Sequence, residues 1–448
     1  MVSLEQTTAT AAFLPHELIA CEECGLVVDI PDIKDGQKAT CPRCGHTLLK
    51  KINNPYHKPI AYGIACLIML TLSVSFPFMS FSVQGMTQEI TLFKAAEMLR
   101  HFDNGVLSIL LMGFVLVLPA FYIVAIMYLN YQAARVNQGN YDVKNMATIK
   151  SLCRVIFKIE PWTMVDVFLI GVLVSLVKIA ALADVGLGSS FWAFCAYTVL
   201  FVKCVSMIDR TWIWDQFIPM KPIASDVKPS DDHTTLNHVA CHTCNQLNPM
   251  PTTKHAKCLR CDSHLHTYDP RMNLQRSWAF LLASIVFYIP ANLYPMMYTV
   301  SLGQKEGSTI MGGVALLWHL GSYPIAAVIF FASIFIPMAK MFALMWLYYC
   351  ASKKADCSQR DAIQHLKLYR LTEFIGRWSM IDIFVVAILV ALVQLQNLMA
   401  ILPGPAALSF AAVVVFTMLS AMTFDPRVFW SNTDLKSSAD GKASAAIN

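Results

Sequence analysis

Eight long apolar stretches constrain the fold of this chain more than any other feature of its sequence. A helix needs roughly 20 residues to cross the hydrocarbon core of a bilayer, which is about 30 Å thick. With 56% hydrophobic and only 14% charged residues and a mean hydropathy of +0.51, the chain is far from the soluble average. We therefore predict an all-α polytopic membrane protein whose helices lie near residues 59–78, 105–129, 165–183, 191–207, 279–298, 323–349, 381–398 and 405–424.

The eight stretches form two groups of four, and landmarks of the first group recur about 218 residues later. A period of this size marks duplicated modules rather than a short solenoid repeat. Because four helices return the chain to its starting side, we predict two tandem modules in parallel orientation. The matching landmarks are Trp162-Thr-Met-Val-Asp166-Val-Phe168 with Trp378-Ser-Met-Ile-Asp382-Ile-Phe384, Pro119 with Pro337, Pro77 with Pro295, and Asp209 with Asp425.

The basic residues predict the orientation in the membrane, because Lys and Arg in short loops are retained in the cytoplasm. They are concentrated after the second stretch of each module, from Arg135 to Lys158 and from Lys353 to Arg377, and are sparse in the opposite loops. Residues 1–20 also lack the pattern of a signal peptide. Both termini and both cysteine clusters are therefore predicted to be cytoplasmic.

Eight of the 14 cysteines fall into four Cys-x-x-Cys pairs, two pairs ahead of each module. Two such pairs at this spacing can bring four thiolates into the tetrahedron that structural zinc prefers. Iron in a rubredoxin-like site is the alternative metal, while local disulfides are disfavoured by a reducing cytosol. A closed four-thiolate site leaves no position for substrate, so a structural role is predicted. The predicted ligands are Cys21, Cys24, Cys41 and Cys44 at one site and Cys241, Cys244, Cys258 and Cys261 at the other.

These features divide the chain into seven predicted segments, with a small cytoplasmic zinc ribbon ahead of each transmembrane module. The segment between the modules is polar and contains three prolines, and it is interpreted as a linker. The predicted segments are a disordered N-terminus (1–17), ribbon 1 (18–54), module 1 (55–210), the linker (211–237), ribbon 2 (238–270), module 2 (271–430) and a disordered tail (431–448).

A few ionisable residues lie within the apolar stretches, where a charge costs about 2.5–3.5 kcal/mol or more. Lys340 has apolar neighbours on both sides, and Asp382 opens the seventh stretch, where Lys340 can serve as its counter-charge. Ser333 and Thr417 can complete a polar cluster in the second module. Simpler interpretations remain open for two further groups: Asp166 as a carboxylate at headgroup level, favoured by the helix dipole, and Lys178 as a side chain that extends to the interface.

Several motifs of catalysis are missing from the sequence. It contains no Gly-rich phosphate loop ending in Gly-Lys-Ser/Thr, no His-Glu-x-x-His, and no convincing nucleophile with a base. A formal net charge of +5 is small for this length and gives no reason to expect nucleic acid as a partner. The chain is therefore predicted not to be an enzyme.

The duplicated cysteine pairs, the two Trp-x-Met-x-Asp-x-Phe segments and Pro290-Ala-Asn-Leu-Tyr-Pro295 together resemble the paraquat-inducible protein A family. The resemblance extends from about Cys21 to Trp430 and is nearer to the family's lipophilic envelope-spanning tunnel branch. It implies a bacterial inner-membrane protein that works with a periplasmic MCE-domain tunnel protein. It also implies that the cargo is phospholipid or another lipophilic molecule moving between the two membranes of a Gram-negative envelope.

The resemblance further implies a transmembrane polar network, assigned by position to Lys178, Ser333, Lys340, Asp382 and Thr417. One departure is Ala181, where a relative has an acidic residue one turn after the lysine; Asp184 is the possible replacement. The second module has the fuller polar set, so the working site is expected there.

Three functions follow from these features. The leading hypothesis is a lipid-handling subunit that loads or unloads lipid for the periplasmic tunnel, with Lys340 and Asp382 coupling movement to protons. A stand-alone secondary transporter of a small solute is the second, and a zinc-dependent membrane scaffold that recruits a partner is the third.

Overall fold

The computed structural model of this chain describes residues 17–83, 86–101, 105–138, 146–180, 184–223, 227–235, 237–251, 253, 255–301, 304–319, 321, 323–353, 359–392, 394–395, 399–430 and 446–447. The two termini predicted to be disordered lie outside these residues, apart from 17, 446 and 447, and so does Ala181. The chain divides into two compact units. The cysteine-site unit comprises Met1–Asn53, Asp209–Tyr268 and Thr433–Asn448, and the helical unit comprises Asn54–Ile208 and Asp269–Asn432.

Helices make up most of the described structure. Those before the second cysteine cluster are α1 (His57–Ser75), α2 (Leu92–His101), α3 (Gly105–Met112), α4 (Leu118–Asn137), α5 (Met146–Ile159), α6 (Val165–Ala180), α7 (Ser189–Ser206) and α8 (Arg210–Phe217). Those after it are α9 (Pro270–Leu293), α10 (Ile310–His319), α11 (Tyr323–Phe330), α12 (Ile336–Ser352), α13 (Gln359–Trp378), α14 (Ile381–Leu392) and α15 (Pro405–Thr423). Short 3-10 helices span Glu160–Trp162 and Pro426–Trp430, and π-helical turns span Gly113–Val117 and Phe331–Phe335.

The described strands are short, and all of their pairings are antiparallel. In the cysteine-site unit they are β1 (Glu17–Ala20), β2 (Val27–Ile30), β3 (Lys38–Thr40), β4 (Thr47–Lys50), β8 (His238–Ala240), β9 (Leu247–Pro249) and β14 (Ala446–Ile447). In the helical unit they are β5 (Met79–Val83), β6 (Met86–Ile90), β7 (Asp184–Leu187), β10 (Met297–Ser301), β11 (Gln304–Ser308), β12 (Gln394–Leu395) and β13 (Met399–Pro403).

The cysteine-site unit is built from hairpins: β1 pairs with β2, β3 with β4, and β8 with β9, and β14 adds to the edge of β3. Ala20 and Val27 from the first hairpin and Leu247 from the third form one apolar core. Small folds built from short hairpins are the usual setting for a structural metal. Both cysteine clusters lie in this unit.

The segment predicted as a linker, 211–237, contributes to this unit. Its first residues lie in α8, whose N-terminus is capped by Asp209 accepting from the Trp212 N–H at 3.0 Å. Further along, the Val27 N–H donates to the Asp231 carbonyl at 2.7 Å, and the Ser230 N–H donates to the Val27 carbonyl at 3.0 Å. Backbone pairing with the first hairpin therefore orders part of a segment whose Pro-rich, polar composition is typical of a free connection.

The helical unit contains seven helical runs, within the described part of the chain, that are long and apolar enough to cross a membrane. They are His57–Ser75, Gly113–Asn137, Met146–Leu176, Ser189–Ser206, Pro270–Leu293, Ala326–Ser352 and Pro405–Thr423. The eighth predicted span begins with α14, which has 12 residues, and part of its remainder lies outside the described residues. The chain is thus a predominantly helical, multi-pass membrane protein.

Two small sheets in the helical unit differ from the predicted all-α fold. The first has the order β6-β5-β7 and the second the order β11-β10-β13-β12. In each, a hairpin follows the first long helix of its half. A later connection adds β7 to the first sheet, and β13 and β12 to the second. Short connections between apolar helices cannot pair their own backbone groups as a helix does, and the sheets supply those partners. Five-residue strands without alternating polarity give little sequence signal.

A glycine–proline contact anchors each sheet in the same way. A Cβ at Gly188 would lie 2.0 Å from the Pro77 carbonyl oxygen, and a Cβ at Gly404 would lie 2.0 Å from the Pro295 carbonyl oxygen. The Gly188 N–H donates to the Phe78 carbonyl at 3.1 Å, and the Gly404 N–H donates to the Met296 carbonyl at 2.9 Å. Only glycine permits backbones to approach this closely. The two halves of the helical unit therefore repeat one backbone design at this point.

The two halves also share a π-helical turn directly before a proline. Gly113–Val117 precedes α4, which has Pro119 as its second residue, and Phe331–Phe335 precedes α12, which has Pro337 there. A proline has no N–H to donate and its ring clashes with the preceding turn, so the helix widens locally. Such turns occur often at functional sites, and Ser333 lies in the second one.

The halves meet through α6 and α14, which occupy equivalent positions in the sequence. Phe168 and Phe384 contact each other edge to face, with ring centroids 5.5 Å apart. Gly171 permits this approach, since a Cβ there would lie 3.1 Å from the Phe384 Cβ. Phe168 and Phe384 are themselves equivalent residues of the repeat, so the contact has the self-complementary form of a two-fold interface.

Candidate metal sites and a buried polar cluster

Four knuckles with one backbone conformation hold the eight predicted metal ligands. The residue after each Cys-x-x-Cys pair has positive φ: Gly25 at 73°, Gly45 at 71°, Asn245 at 58° and Asp262 at 58°. Gly, Asn and Asp are the residues that tolerate this left-handed conformation best. The local sequence therefore favours the same turn four times.

Backbone hydrogen bonds close each knuckle in the same pattern. The N–H of the left-handed residue donates to the carbonyl of the first cysteine, as Gly25 does to Cys21 at 2.9 Å and Asp262 does to Cys258 at 3.1 Å. The first cysteine in turn donates its own N–H to the carbonyl of the residue that follows the left-handed one, as Cys41 does to the His46 carbonyl at 2.8 Å. Both cysteines of a pair are thereby held on one side of a tight turn, with their sulfur atoms directed inward.

The sulfur atoms form two compact groups, each within 4.8 Å. The Sγ–Sγ distance is 3.5 Å for Cys21 and Cys44, and 3.6 Å for Cys24 and Cys41. In the second site the distances are 3.5 Å for Cys241 and Cys261 and 3.5 Å for Cys244 and Cys258. A tetrahedral zinc with bonds of about 2.3 Å places sulfurs about 3.8 Å apart. All eight thiols are free cysteines, and both groups fit a single metal ion.

Packing four thiols together shifts their pKa values in opposite directions. Hydrogen bonding with Cys21 lowers the pKa of the Cys41 thiol, and hydrogen bonding with Cys244 lowers that of Cys241. Hydrogen bonding with Cys24, followed by Cys41 and Cys44, raises the pKa of the Cys21 thiol. Contacts with Cys241, Cys258 and Cys261 raise the pKa of Cys244 in the same way. A cation at the centre of each group offsets the repulsion between neighbouring thiolates and provides the charge that four thiolates require.

Buried polar contacts join the predicted linker, residues 211–237, to the second four-cysteine site. The Arg260 side chain is fully buried and donates to the Ile218 carbonyl at 2.8 Å and to the Cys244 carbonyl at 3.0 Å. Its guanidinium also pairs with Asp215. Arg210 bridges the two hairpin regions, with Nη1 2.9 Å from the Glu22 carboxylate and 2.9 Å from the His242 carbonyl. These contacts were not predicted, because an arginine in a polar stretch of sequence carries no signal for a fixed partner.

In the helical unit, the structure brings together two of the five predicted network residues. Lys340 on α12 is 3% exposed, and its Nζ donates to the Thr417 Oγ1 on α15 at 2.9 Å. The Thr417 hydroxyl donates onward to the Val414 carbonyl of its own helix at 2.9 Å. The amine thus lies inside a helix bundle, with a hydroxyl as its acceptor.

A third helix approaches the same amine. A Cβ at Gly376 on α13 would lie 3.2 Å from the Lys340 Nζ and 3.6 Å from its Cε. Ser333 and Asp382 are also buried, at 5% and 9% exposure, on the π-helical turn before α12 and in the first turn of α14. We call the hydrogen-bonded pair Lys340 and Thr417 the buried polar cluster; Gly376 makes room for its amine.

For Lys178, the fifth residue of the predicted network, the structure describes the backbone within α6 and not the side chain. The side chain of Asp184, offered as its acidic partner, also lies outside the described residues. Asp166 is half-buried in the first turn of α6, the position that the helix-dipole interpretation requires.

The first half has an aromatic contact at the place of the lysine–threonine pair. Pro119 and Pro337 are 218 residues apart, and the same spacing relates Tyr122 to Lys340. Trp162 and Trp378 are 216 residues apart, and that spacing relates Phe201 to Thr417. The rings of Tyr122 and Phe201 contact each other, with centroids 6.2 Å apart.

A second hydrogen-bonded group in the second half had not been predicted. The Tyr348 hydroxyl lies 2.8 Å from the Ser420 Oγ, which donates to the Ser277 carbonyl at 2.8 Å. This group links α12, α15 and α9 below the lysine. Tyrosine and serine are too common in helices to stand out, but the first-half equivalents, Asn130, Cys204 and Pro59, show that the position varies.

Comparison with known sequences gives a family and three informative relatives. The family model described as paraquat-inducible protein A matches residues 56–218 and again residues 274–434. The intermembrane transport protein PqiA of Escherichia coli (strain K12) is 42% identical over 412 residues, covering 92% of this chain and 95% of the relative. No solved structure matches the chain.

Two more distant relatives cover the chain as fully. A Haemophilus influenzae protein named "Probable intermembrane transport protein" is 27% identical over 94% of this chain and 97% of its own length. Lipophilic envelope-spanning tunnel protein A of Escherichia coli (strain K12) is 25% identical over 92% of this chain and 90% of its own length. The identities revise the expected nearer likeness to the tunnel branch, since PqiA shares more residues with this chain.

Proposed function

This chain belongs to the paraquat-inducible protein A family, and from that premise we propose that it is an inner-membrane subunit of an intermembrane lipid transport system. It loads or unloads phospholipid or another lipophilic molecule for a periplasmic tunnel protein of the MCE type. The names of its relatives, which refer to intermembrane transport and to a lipophilic envelope-spanning tunnel, support this proposal.

The proposed arrangement has two parallel modules of four spans, with both termini and the cysteine-site unit in the cytoplasm. It is supported by the double match of the family model, by the repeated glycine–proline contacts, and by the basic loops after the second span of each module. On this arrangement the two small sheets face the periplasm, where a tunnel protein would dock.

The proposed metal is zinc at both four-cysteine sites. Its ligands are Cys21, Cys24, Cys41 and Cys44, and Cys241, Cys244, Cys258 and Cys261. Zinc supplies the charge that holds four thiolates together, and the four closed knuckles leave its role structural. The chain's own residues fix the site through the left-handed turns and the backbone bonds that follow each cysteine pair.

The single observation that carries the transport proposal is the amine of Lys340, buried between three helices with a threonine hydroxyl as acceptor. An amine in hydrocarbon is costly when charged, so such residues are retained where they serve transport. We propose that Lys340 and Asp382 gain and lose protons as lipid moves. Ser333 and Thr417 are the proposed hydrogen-bonding members of this network, and Lys178 is its proposed member in the first half. Proton movement would then provide energy to a chain without a nucleotide site.

The test is lipid transfer by the full chain in liposomes that contain a fluorescent phospholipid and carry an imposed proton gradient. The expected result is that fluorescence reaches the soluble tunnel partner only when both proteins are present, and that a protonophore slows the transfer at least fivefold. Transfer that is equal without this chain would contradict the proposal. Uptake of a small solute without any partner would instead support the stand-alone transporter.

A further inference from the structure

A cleft lies between the ends of α1 and α4 in the first half of the helical unit. Its volume is about 560 Å³, and its lining is His57, Ile60, Tyr131, Ala134, Arg135 and Gln138. His57 is the first residue of α1, and Arg135 lies in the last turn of α4. Both helices are long and apolar enough to span the membrane. The cleft is therefore at the level where lipid headgroups lie.

Close packing further along these helices accounts for the cleft. A Cβ at Gly63 on α1 would lie 2.6 Å from the Met127 Cγ on α4, so the two helices touch there. Nearer the helix ends, Ile60 on α1 and the small residue Ala134 on α4 line the cleft. The ends of α1 and α4 thus leave an opening between them.

The charges in the cleft favour an anion. Arg135 is half-buried, and the ion pairs among the described residues leave it without a carboxylate partner. No Asp or Glu is among the lining residues that the structure describes, while His57 and Gln138 add further hydrogen-bond donors. A guanidinium presents paired N–H groups that match phosphate oxygens. The electrostatics therefore suit a phosphate group.

Apolar residues continue from the cleft along both helices towards the membrane interior. Ile64 and Ile68 follow Ile60 at four-residue intervals on α1, and Ile68 is 54% exposed. On α4, Val124 lies two turns from Tyr131 on the same face and is 52% exposed. A phosphate at Arg135 would thus carry its acyl chains along an exposed apolar surface.

We infer that this cleft binds the phosphate headgroup of one phospholipid from the leaflet at the start of α1. Arg135 holds the phosphate, with His57 and Gln138 as further donors, and Tyr131 covers the glycerol region as aromatic side chains do at interfaces. This site is apart from the buried polar cluster and rests on the membrane position of α1 and α4, whether or not the chain transports lipid.

The second half offers a contrast at each key position. Trp278 replaces Ile60 by the 218-residue spacing, and its larger ring packs edge to face on Tyr348 at 5.7 Å. Lys353 replaces Arg135, and its Nζ lies over the Tyr349 ring at 4.9 Å. The cation of the second half is thus already engaged with an aromatic face, and lysine lacks the paired donors of arginine.

The test is native mass spectrometry of the delipidated full chain titrated with phosphatidylglycerol. Arg135→Gln, which removes the charge, and Ile60→Trp, which fills the cleft, are each expected to weaken the tightest lipid binding at least fivefold. Lys353→Gln, the matched change in the second half, is expected to stay within twofold of the unchanged protein. Diacylglycerol, which lacks the phosphate, is expected to bind at least fivefold more weakly, and an equal concentration of inorganic phosphate should not displace the lipid.

Wild-type binding by both first-half variants would overturn the inference, as would an equal loss in Lys353→Gln or equal binding of diacylglycerol. Thermal unfolding in the same detergent shows whether each variant is folded. If Arg135→Gln does not fold, Ile60→Trp decides the question alone. Because this assay measures binding to one chain without a partner, its failure is distinct from failure of lipid transfer to a tunnel protein.

Discussion

The two halves of the helical unit share one backbone design but differ in what they bury. Both have a π-helical turn before a proline, and both anchor a small sheet with a glycine against a proline carbonyl. At the place where the first half buries the Tyr122–Phe201 contact, the second half buries the Lys340–Thr417 pair. The difference teaches that the repeated scaffold does not need the polar pair, since aromatic packing fills the same position.

The two cysteine sites, in contrast to the two halves of the helical unit, do not differ in this way. All four knuckles have the same left-handed turn and the same backbone bonds. Features that both copies need for folding are thus alike. Among the described side chains, in contrast, the Lys340 amine of the second half has the aromatic ring of Tyr122 as its equivalent in the first. We interpret the shared features as structural and the differing pair as functional, and the following changes test that division from the largest expected effect to the smallest.

Cys24→Ser and Cys244→Ser are expected to have equally large effects, because the two sites are built alike. Structural zinc contributes on the order of 10 kcal/mol of binding free energy in small domains, and each variant should lose at least one of two bound metal ions. Elemental analysis of the purified chain measures this, and limited proteolysis should show the cysteine-site unit cut in both variants. Two metal ions in either variant would contradict the assignment of that cysteine as a ligand.

Lys340→Met is expected to reduce transport at least tenfold without lowering protein level, because a polarisable apolar chain replaces a buried amine of similar length. Thermal stability should be unchanged or higher, since burial of the amine is itself costly. Tyr122→Phe, the control in the first half, removes only a hydroxyl and should keep at least half of the activity. Complementation of a strain that lacks the protein measures the activity of both variants. An equal loss of activity in the two would contradict the proposed difference between the halves.

Asp382→Asn is expected to lower complementation severalfold, because an amide cannot exchange a proton at this buried position. Asp166→Asn changes the equivalent residue, which is half-buried in the first turn of α6, and should cost less than twofold. Protein level in the membrane is the check on folding for both. If Asp382→Asn retains full activity, the carboxylate serves only as a helix-start residue, like its counterpart.

Thr417→Val is expected to reduce stability by about 1–3 kcal/mol, since it leaves the Lys340 amine without its hydroxyl acceptor. Thr198→Val on α7 is the matched change: its hydroxyl donates to the Phe194 carbonyl at 2.9 Å within its own helix. Thr198→Val should reduce stability by less than about 1 kcal/mol, because the Phe194 carbonyl that it leaves behind is already bonded within the helix. Unfolding in detergent compares the two, and equal losses would show that the lysine bond adds nothing.

Gly376→Ala is expected to have the smallest effect. The added Cβ would lie 3.2 Å from the Lys340 Nζ, so the amine must shift by a few tenths of an ångström. A reduction in transport of two- to threefold is expected, with little change in stability. Gly313→Ala on α10, where the added Cβ meets no atom within 4 Å, is the control and should leave transport unchanged.

Much of this design could be predicted from the sequence, for identifiable physical reasons. The two four-cysteine clusters could be predicted from the cysteine spacing, and the buried Lys340 from a charge among apolar neighbours; both signals are local and rare. The sheets between the helices were missed because their strands are short and pair across more than 100 residues, as β5 does with β7. The Asp231–Val27 backbone pair and the Tyr348–Ser420 bond are likewise long-range contacts between ordinary residues, which composition cannot indicate.

The central claim is that lipid meets the buried polar cluster of the second half rather than the aromatic contact of the first. A photoreactive lysine analogue at position 340 keeps the amine, and a photoreactive aromatic residue at position 122 keeps the ring, so each can report contact in the native membrane. The account predicts that a phospholipid adduct forms at position 340, in at least fivefold excess over position 122. Equal labelling at both positions, or adducts only at position 122, would contradict it.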